Sequence, residues 1–250
     1  MEQITSTKNE YIKLLRSLKQ KKGREETGLF LAESDKCAAE ALRYAKVQTL
    51  LTTLPEHPLA RQAEQSNARV VLVSQAVMEA VSDVKTQQSV MAVVQKQQGS
   101  LPQKGLFVAL EDVADPQNVG TILRTADAVG AAGVLLSGKC ADYTSPKAVR
   151  AAMGSTFHLP VEVAEDFEGR LSALKKAGVR LLGGHLKGVE AMPGERENLC
   201  VIIGNEARGM SESAARLCDY LVKIPIYGKA ESLNAAVAAG VLLYRCKEGR

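Results

Sequence analysis

The chain has no tryptophan, and aromatic residues fill only 4% of its 250 positions. A surface that stacks many nucleobases on aromatic rings is therefore not expected. Cysteine is sparse: Cys37, Cys140, Cys200, Cys218 and Cys246 are odd in number, scattered and without CxxC spacing. Neither a disulfide framework nor a zinc site is indicated, and a reducing cytoplasm is the expected home. The three histidines, His57, His158 and His185, lie far apart, and no metal is expected. No apolar run approaches the ~18 residues a membrane span needs. The first residues carry Glu2 and Lys8 and no apolar segment, so no signal peptide is expected either.

What remains has globular composition, 46% hydrophobic and 24% charged, at a length that suits one large domain or two ordinary ones. A net charge of +4 is compatible with a polyanionic partner without identifying one. The charge is uneven. Residues 1–24 hold seven Lys and Arg against two Glu, a local excess of +5. A helix carrying Lys8, Lys13, Arg16 and Lys19 reads as a phosphate-contact surface, or as a plain solvated helix face.

Tyr11, Leu14, Leu15 and Leu18 at helical spacing predict one amphipathic helix over 8–22, stopped by Gly23. Strands at 29–31, 47–52, 70–73 and 90–94 then alternate with helices at 35–44, 60–66 and 75–81, which makes this half a small α/β unit. The polar stretch QKQQGSLPQK, residues 95–104, has nothing to build a core and serves as a linker. The expected division is a first domain over 1–97, a linker over 98–104 and a second domain over 105–250. In the second domain, apolar strands at 106–110, 133–136, 179–182, 200–203 and 221–226 scarcely alternate in polarity. Such strands suit a parallel sheet covered on both faces. The last helix, around Leu233 to Tyr244, is apolar nearly all round and should be buried, with Gly240 a mark of close packing.

Three constellations follow strand ends. In the first, Glu111 to Ala126, Asn118 can cap a helix whose N-terminus, with Arg124 nearby, suits a phosphate. An ordinary capped strand-turn-helix would explain the same residues. The second is Gly204-Asn205-Glu206-Ala207-Arg208-Gly209-Met210, where a Glu206–Arg208 pair is expected. The third is Ile224 to Asn234, which brings Ser232 and Asn234 to a helix start. A GxGxxG after the 106–110 strand is missing, which sets a dinucleotide enzyme aside.

Together and in this order, DPQNVGTILRTADAVGA, VIIGNEARGMSE and IPIYGKAESLNAAVAAGVLLY resemble the SpoU (TrmH-type) branch of the SPOUT RNA methyltransferases over about 107–246. KNEYIKLLRSL and GLFLAES resemble, more loosely, the small ribosomal L30e-like RNA-binding domain that often precedes that catalytic domain. The resemblance implies an α/β fold: an L30e-like domain, then a SPOUT parallel-sheet domain with a deep trefoil knot. It implies S-adenosylmethionine held in the knot by Gly204, Asn205, Ile224, Ile226 and Leu233, with Gly183, Gly184 and His185 as another wall. It implies a homodimer through the knot and transfer of a methyl group to a ribose 2′-hydroxyl of rRNA or tRNA. Arg124 would orient the reacting hydroxyl, Asn118 and Glu206 would shape the pocket and hold Arg124, and Ser232 and Asn234 would position the nucleotide or the knot loop. The segment PKAVRAAMG departs from the family pattern, since Ala151 and Ala152 follow Arg150 where a small polar residue is common. Lys147 and Arg150 are its candidates for RNA phosphate. Competing readings are a non-catalytic RNA-binding protein and a base-methylating enzyme on the same fold.

Overall fold

A computed structural model describes residues 2–84, 86, 88–192 and 198–247. It divides into two compact units, 1–97 with 142–158 and 98–141 with 159–250. Among the described residues no helix is long and apolar enough to cross a membrane.

The chain opens with a strand that the sequence pattern did not reveal, β1 (Glu2–Ile4). The helix expected over 8–22 is two helices, α1 (Glu10–Ser17) and α2 (Lys21–Thr27). Asn9 starts α1 by accepting from the Tyr11 amide at 2.9 Å. Gly23 does not stop a helix. It lies inside α2, where a Cβ would stand 2.3 Å from the Ser17 carbonyl oxygen, so only glycine lets the two helices approach. The terminator is Gly28, left-handed at φ +65.

Next come β2 (Leu29–Glu33), α3 (Asp35–Tyr44), β3 (Val47–Thr52), α4 (Pro58–Gln65), β4 (Arg69–Val73), α5 (Gln75–Val81) and β5 (Val90–Gln95). The sheet runs β1-β4-β3-β5-β2, with β5 antiparallel to both neighbours. Successive side chains of a strand face opposite ways. Phe30, Leu50 and Val70 therefore pack with Ala38 and Ala41 of α3, while Leu31, Leu51 and Val71 pack with Ile12, Leu15 and Met78. Both faces are covered, which is why these strands are continuous apolar runs.

The second unit begins with β6 (Leu106–Leu110), α6 (Pro116–Ala128) and β7 (Gly133–Ser137). The chain then returns to the first unit. Residues 142–158, with α7 (Pro146–Ala152), pack there and not in the 105–250 range to which sequence assigned them. The cause is specific. Arg24 and Asp142, with side chains 5% and 10% exposed, form an ion pair at 2.7 Å. Arg24 also donates to the Leu18 and Lys19 carbonyls at 2.8 and 3.0 Å, and Asp142 accepts from the Thr144 amide and hydroxyl at 2.9 and 2.6 Å. Burial pushes the Asp142 carboxyl up, but the Thr144 and Arg24 hydrogen bonds outweigh it and hold the group below its ordinary value. Val149 joins the core around Phe30, and the Phe157 ring stacks on Phe30 at 6.1 Å.

The remaining elements are β8 (Val161–Ala164), α8 (Phe167–Lys176), β9 (Arg180–Val189), β10 (Leu199–Ile203), α9 (Glu212–Leu217), β11 (Tyr220–Val222) and α10 (Ala235–Lys247). Six strands in the order β11-β9-β10-β6-β7-β8 are parallel throughout. The last strand is shorter than the expected 221–226, in keeping with Pro225, which has no amide to donate. The final helix is buried on one face only. Ala236, Ala239 and Leu243 are covered, whereas Val237 and Tyr244 are about half exposed, at 52% and 53%. A Cβ on Gly240 would meet only Thr125 at 3.8 Å, an ordinary contact, so packing within the protomer does not demand glycine there.

The buried ion pair yields a stability prediction. Asp142→Ala leaves the Arg24 guanidinium buried without its counter-charge, which should cost about 3–5 kcal/mol in urea unfolding. A loss under about 1 kcal/mol would show that apolar residues alone hold the segment.

Candidate functional site

Parallel strands present their carboxyl ends on one edge of the sheet, and α/β proteins bind ligands there. β10 ends at Ile203 and runs into Gly204. A Cβ on Gly204 would lie 2.2 Å from the Met210 amide nitrogen, so the chain can double back here only with glycine. Asn205 and Gly209 exchange two backbone hydrogen bonds, at 3.0 and 2.8 Å. The Asn205 side-chain oxygen accepts from the Ala207 and Arg208 amides at 3.0 and 3.1 Å, and its Nδ2 donates to the Asp112 carbonyl at 2.7 Å. Residues 204–210 thus form a tight loop stapled to the end of β6.

Beside this loop is a cavity of about 450 Å³, within the range of small-molecule sites. Its wall includes Gly184, His185, Gly204, Asn205, Ile224, Ile226 and Leu233, all but one of the residues expected around a cofactor. The exception is Gly183. It is buried in β9, where a Cβ would meet Met210 Cε at 2.7 Å, so its bareness makes room for the Met210 side chain that lines the wall. Glu206 and Ser232 also line the cavity; Asn118, Arg124 and Asn234 do not. Sequence reasoning missed Lys187, Arg208, Lys223 and Glu231, and the α10 face of Ala235, Ala238 and Leu242. The spacing of those three apolar residues along one helix stripe was the available signal; Arg208 and Glu231 stand inside the second and third constellations, and Lys187 and Lys223 left none.

α6 begins one turn earlier than expected. Asp115, not Asn118, is its cap, accepting from the Gln117 amide at 2.9 Å. Asn118 is freed for another task. Its Nδ2 donates to Glu206 Oε1 at 2.9 Å, and its Oδ1 accepts from Asn234 Nδ2 at 3.0 Å. Glu206 also accepts from the Ala114 and Asp115 amides, at 3.0 and 3.1 Å. Asn234 caps α10 by accepting from the Ala236 and Val237 amides at 2.9 and 3.3 Å. The direction of the chain is fixed at both ends. Backbone donors demand the Asn234 oxygen, which turns its Nδ2 toward Asn118, and the Glu206 carboxylate demands the Asn118 Nδ2.

The expected Glu206–Arg208 pair is absent because that carboxylate is occupied by amides. Arg208 meets Asp112 instead, at 3.4 Å. Burial raises the Glu206 carboxyl, yet the bonds from Ala114, Asn118 and Asp115 prevail and leave it below its ordinary 4.5. Nor does Glu206 or Asn118 hold Arg124. That side chain is exposed on α6 and has no hydrogen-bond or ion-pair partner among the described residues.

All six basic candidates for RNA contact fall in the first unit. Lys8, Arg16 and Lys147 are exposed. Lys13 pairs with Glu10 at 2.6 Å, and Lys19 donates to the Ser82 carbonyl at 2.5 Å. Arg150 is committed to Asp83 at 3.0 Å and lies 4.0 Å from the buried Glu33. The basic excess of the N-terminus is also smaller at the surface than in the sequence, since Arg24 is buried and Lys21 and Lys22 face Glu25 and Glu26.

Residues 105–244, which carry the loop, the cavity and the amide chain, match the SpoU rRNA methylase family. The chain belongs to the SpoU family. Residues 9–92 match the MRM3-like substrate-binding domain, where an L30e-like RNA-binding domain was expected. Over 250 residues the chain is 33% identical to the 23S rRNA (guanosine(2553)-2′-O)-methyltransferase RlmP of Bacillus subtilis, covering 99% of this chain and 100% of the relative. It is similar in structure to an AdoMet-bound rRNA methyltransferase from Sinorhizobium meliloti, with TM-score 0.90 and 34% identity over 98% of this chain and 97% of that one. The SpoU methyltransferase AviRb of Streptomyces viridochromogenes, in complex with AdoMet, follows with TM-score 0.86 and 28% identity over 97% of this chain and 100% of that one.

In this SpoU protein, the Glu206 contacts make a pH prediction. A carboxylate held below its ordinary value contributes stability above that value and loses it only as pH falls through the lowered one. Hydrogen-exchange protection of the Ala114 and Asp115 amides should therefore persist from about pH 8 to about pH 5. Glu206→Ala should speed their exchange about tenfold or more, the worth of a hydrogen bond to a charged group. Unchanged protection in that variant would show that the amides are held by something else.

Proposed function

We propose that this protein transfers a methyl group from S-adenosylmethionine to a ribose 2′-hydroxyl of ribosomal RNA, with the large-subunit RNA as substrate. The observation that carries the reading is the pairing of a cofactor-sized cavity, walled by 204–210 and 224–233, with a free cation, Arg124, on the helix those loops are tied to. The wall fits the cofactor: Met210, Ile224, Ile226 and Leu233 supply apolar surface for an adenosine, and Gly184 and Gly204 bring bare backbone close.

When bound, the cofactor supplies a sulfonium methyl group that is already a strong electrophile. The chain then has to position a hydroxyl in line and remove its proton. A guanidinium stays charged at neutral pH, which makes Arg124 a poor base and a good bidentate holder of phosphate. Arg124 would hold the phosphate next to the reacting ribose, and that phosphate would take the hydroxyl proton while the methyl group exchanges its bond to sulfur for one to the ribose oxygen, leaving the donor as a neutral thioether. Ser232, exposed on the cavity rim, contacts the nucleotide. Lys8, Lys13, Arg16 and Lys147 on the first unit contact RNA phosphates away from the reaction.

The working form is a homodimer in the cytoplasm, where ribosomal RNA is found. The half-exposed Val237 and Tyr244, on a helix with little polar surface, support pairing through α10. The C-terminal part of the second unit threads through a loop as a deep trefoil knot.

Arg124→Ala should lower methyl transfer by about a hundredfold or more while cofactor affinity in calorimetry stays within about threefold. Nucleoside mass spectrometry of 23S rRNA from cells with and without the gene identifies the product. A methylated base in place of a 2′-O-methylribose, or cofactor-independent RNA binding alone, would overturn the reading. Val237→Glu should convert the dimer to monomers in sedimentation experiments, and a dimer that survives would place the interface elsewhere.

A further inference from the structure

Among the described non-glycine residues Asp112 is one of five with positive φ, at +55. It does not line the cavity. It follows Glu111 at the end of β6, where the Glu111 amide still donates to the Ile203 carbonyl at 2.9 Å. One residue later the backbone turns left-handed, which an L side chain adopts at a cost and Asp or Asn more readily than Ala. The turn puts every polar atom of Asp112 to use. Its amide donates to Ser137 Oγ at 2.9 Å, and Ser137 Oγ donates back to Oδ1 at 2.8 Å. Its carbonyl accepts from Asn205 Nδ2 at 2.7 Å, and Oδ2 faces Arg208 at 3.4 Å. Glu111, buried beside it, accepts from the Ser211 amide at 2.9 Å. The loop 204–210 is therefore held near its start by Asp112 and just past its end by Glu111.

We infer that Asp112 is a positioning residue for the methyl donor: its left-handed turn, locked by Ser137, sets the Asn205 carboxamide and with it the loop wall of the cofactor cavity. This rests on the cofactor reading above. Backbone preference sets the spacing of the two clamps. A right-handed residue at 112 would aim its carbonyl away from Asn205, and Asn205 would lose the donor contact that keeps its oxygen over the Ala207 and Arg208 amides. Binding of a preorganised loop needs no ordering on arrival of the ligand, so loss of the clamp falls on cofactor affinity and not on RNA.

The test compares Asp112→Ala, Asp112→Asn and Ser137→Ala with the full-length wild type. S-adenosylmethionine binding is read by calorimetry, and KM for cofactor and for rRNA by methyl incorporation. Asp112→Ala should weaken cofactor binding about tenfold or more and leave KM for RNA within about twofold. Asp112→Asn accepts the left-handed turn and can still accept from Ser137, so it should return to within about threefold of wild type. Ser137→Ala keeps the Asp112 side chain and removes its lock, and should fall between them. If Asp112→Ala does not fold, Asp112→Asn and Ser137→Ala still decide the matter. Wild-type affinity in Ser137→Ala overturns the inference, as does an Asn variant tenfold weaker than wild type. Equal losses for cofactor and RNA point to general destabilisation and overturn it too. A wild type that methylates RNA while these variants bind cofactor normally sinks only the clamp; a wild type that binds no cofactor sinks the functional reading with it.

Discussion

The hydrogen-bond chain Glu206–Asn118–Asn234 is the constraint on which the site depends. Each end terminates on backbone amides, those of Ala114 and Asp115 before α6 and those of Ala236 and Val237 at the start of α10. Helix N-termini carry unsatisfied donors that must be met by side chains or ligands. Here two helices from distant parts of the sequence are met by side chains that also meet each other through Asn118. The loop after β10, the first turn of α6 and the start of α10 consequently behave as one rigid frame around the cavity. Polar networks of this kind add specificity only when every member is satisfied, and this one leaves no donor or acceptor direction ambiguous.

These bonds divide the residues that sequence brings forward into two groups. Glu206, Asn118, Asn234 and Asn205 have spent their polar atoms on the scaffold. Ser232 and Arg124, by contrast, have no protein partner among the described residues, so they are the groups left to meet a substrate. Residue type and order in the chain mark all six alike as functional. Whether a side chain holds the frame or faces the ligand is a matter of which backbone donors stand within 3 Å of it, and no linear pattern carries that information.

The same limit explains what was legible in the fold. Strands 47–52 and 106–110 and helices 35–44 and 75–81 fall where the sequence pattern puts them, the strands as mostly buried runs and the helices with one buried apolar face. Gly23 was misread because a glycine that ends a helix and one that lets two helices touch look identical in sequence; only the 2.3 Å approach of Ser17 separates them. The start of α6 was misplaced because Asp115 and Asn118 are both good caps, and the choice was settled by Glu206, 88 residues on from Asn118. The placement of 142–158 was out of reach for a similar reason. Arg24 counts in sequence as one more cation of the basic 1–24 stretch, and Asp142 is 118 residues away from it.

Arg24 and Arg124 make the energetic contrast concrete. Both are arginines on a helix, one in the basic 1–24 stretch and the other in the block that suits a phosphate. Arg24 is buried, and burying a guanidinium is costly unless it is fully paired. Asp142 and two carbonyls meet that demand, so Arg24 has nothing left to offer a phosphate. Arg124 is exposed and has no partner among the described residues, while Glu206 accepts from the Ala114 and Asp115 amides at 3.0 and 3.1 Å. An exposed guanidinium without a protein partner is available for an anionic one. Burial therefore decides the roles: the arginine taken into the core is spent on the scaffold, and the one left in water is free to meet a substrate.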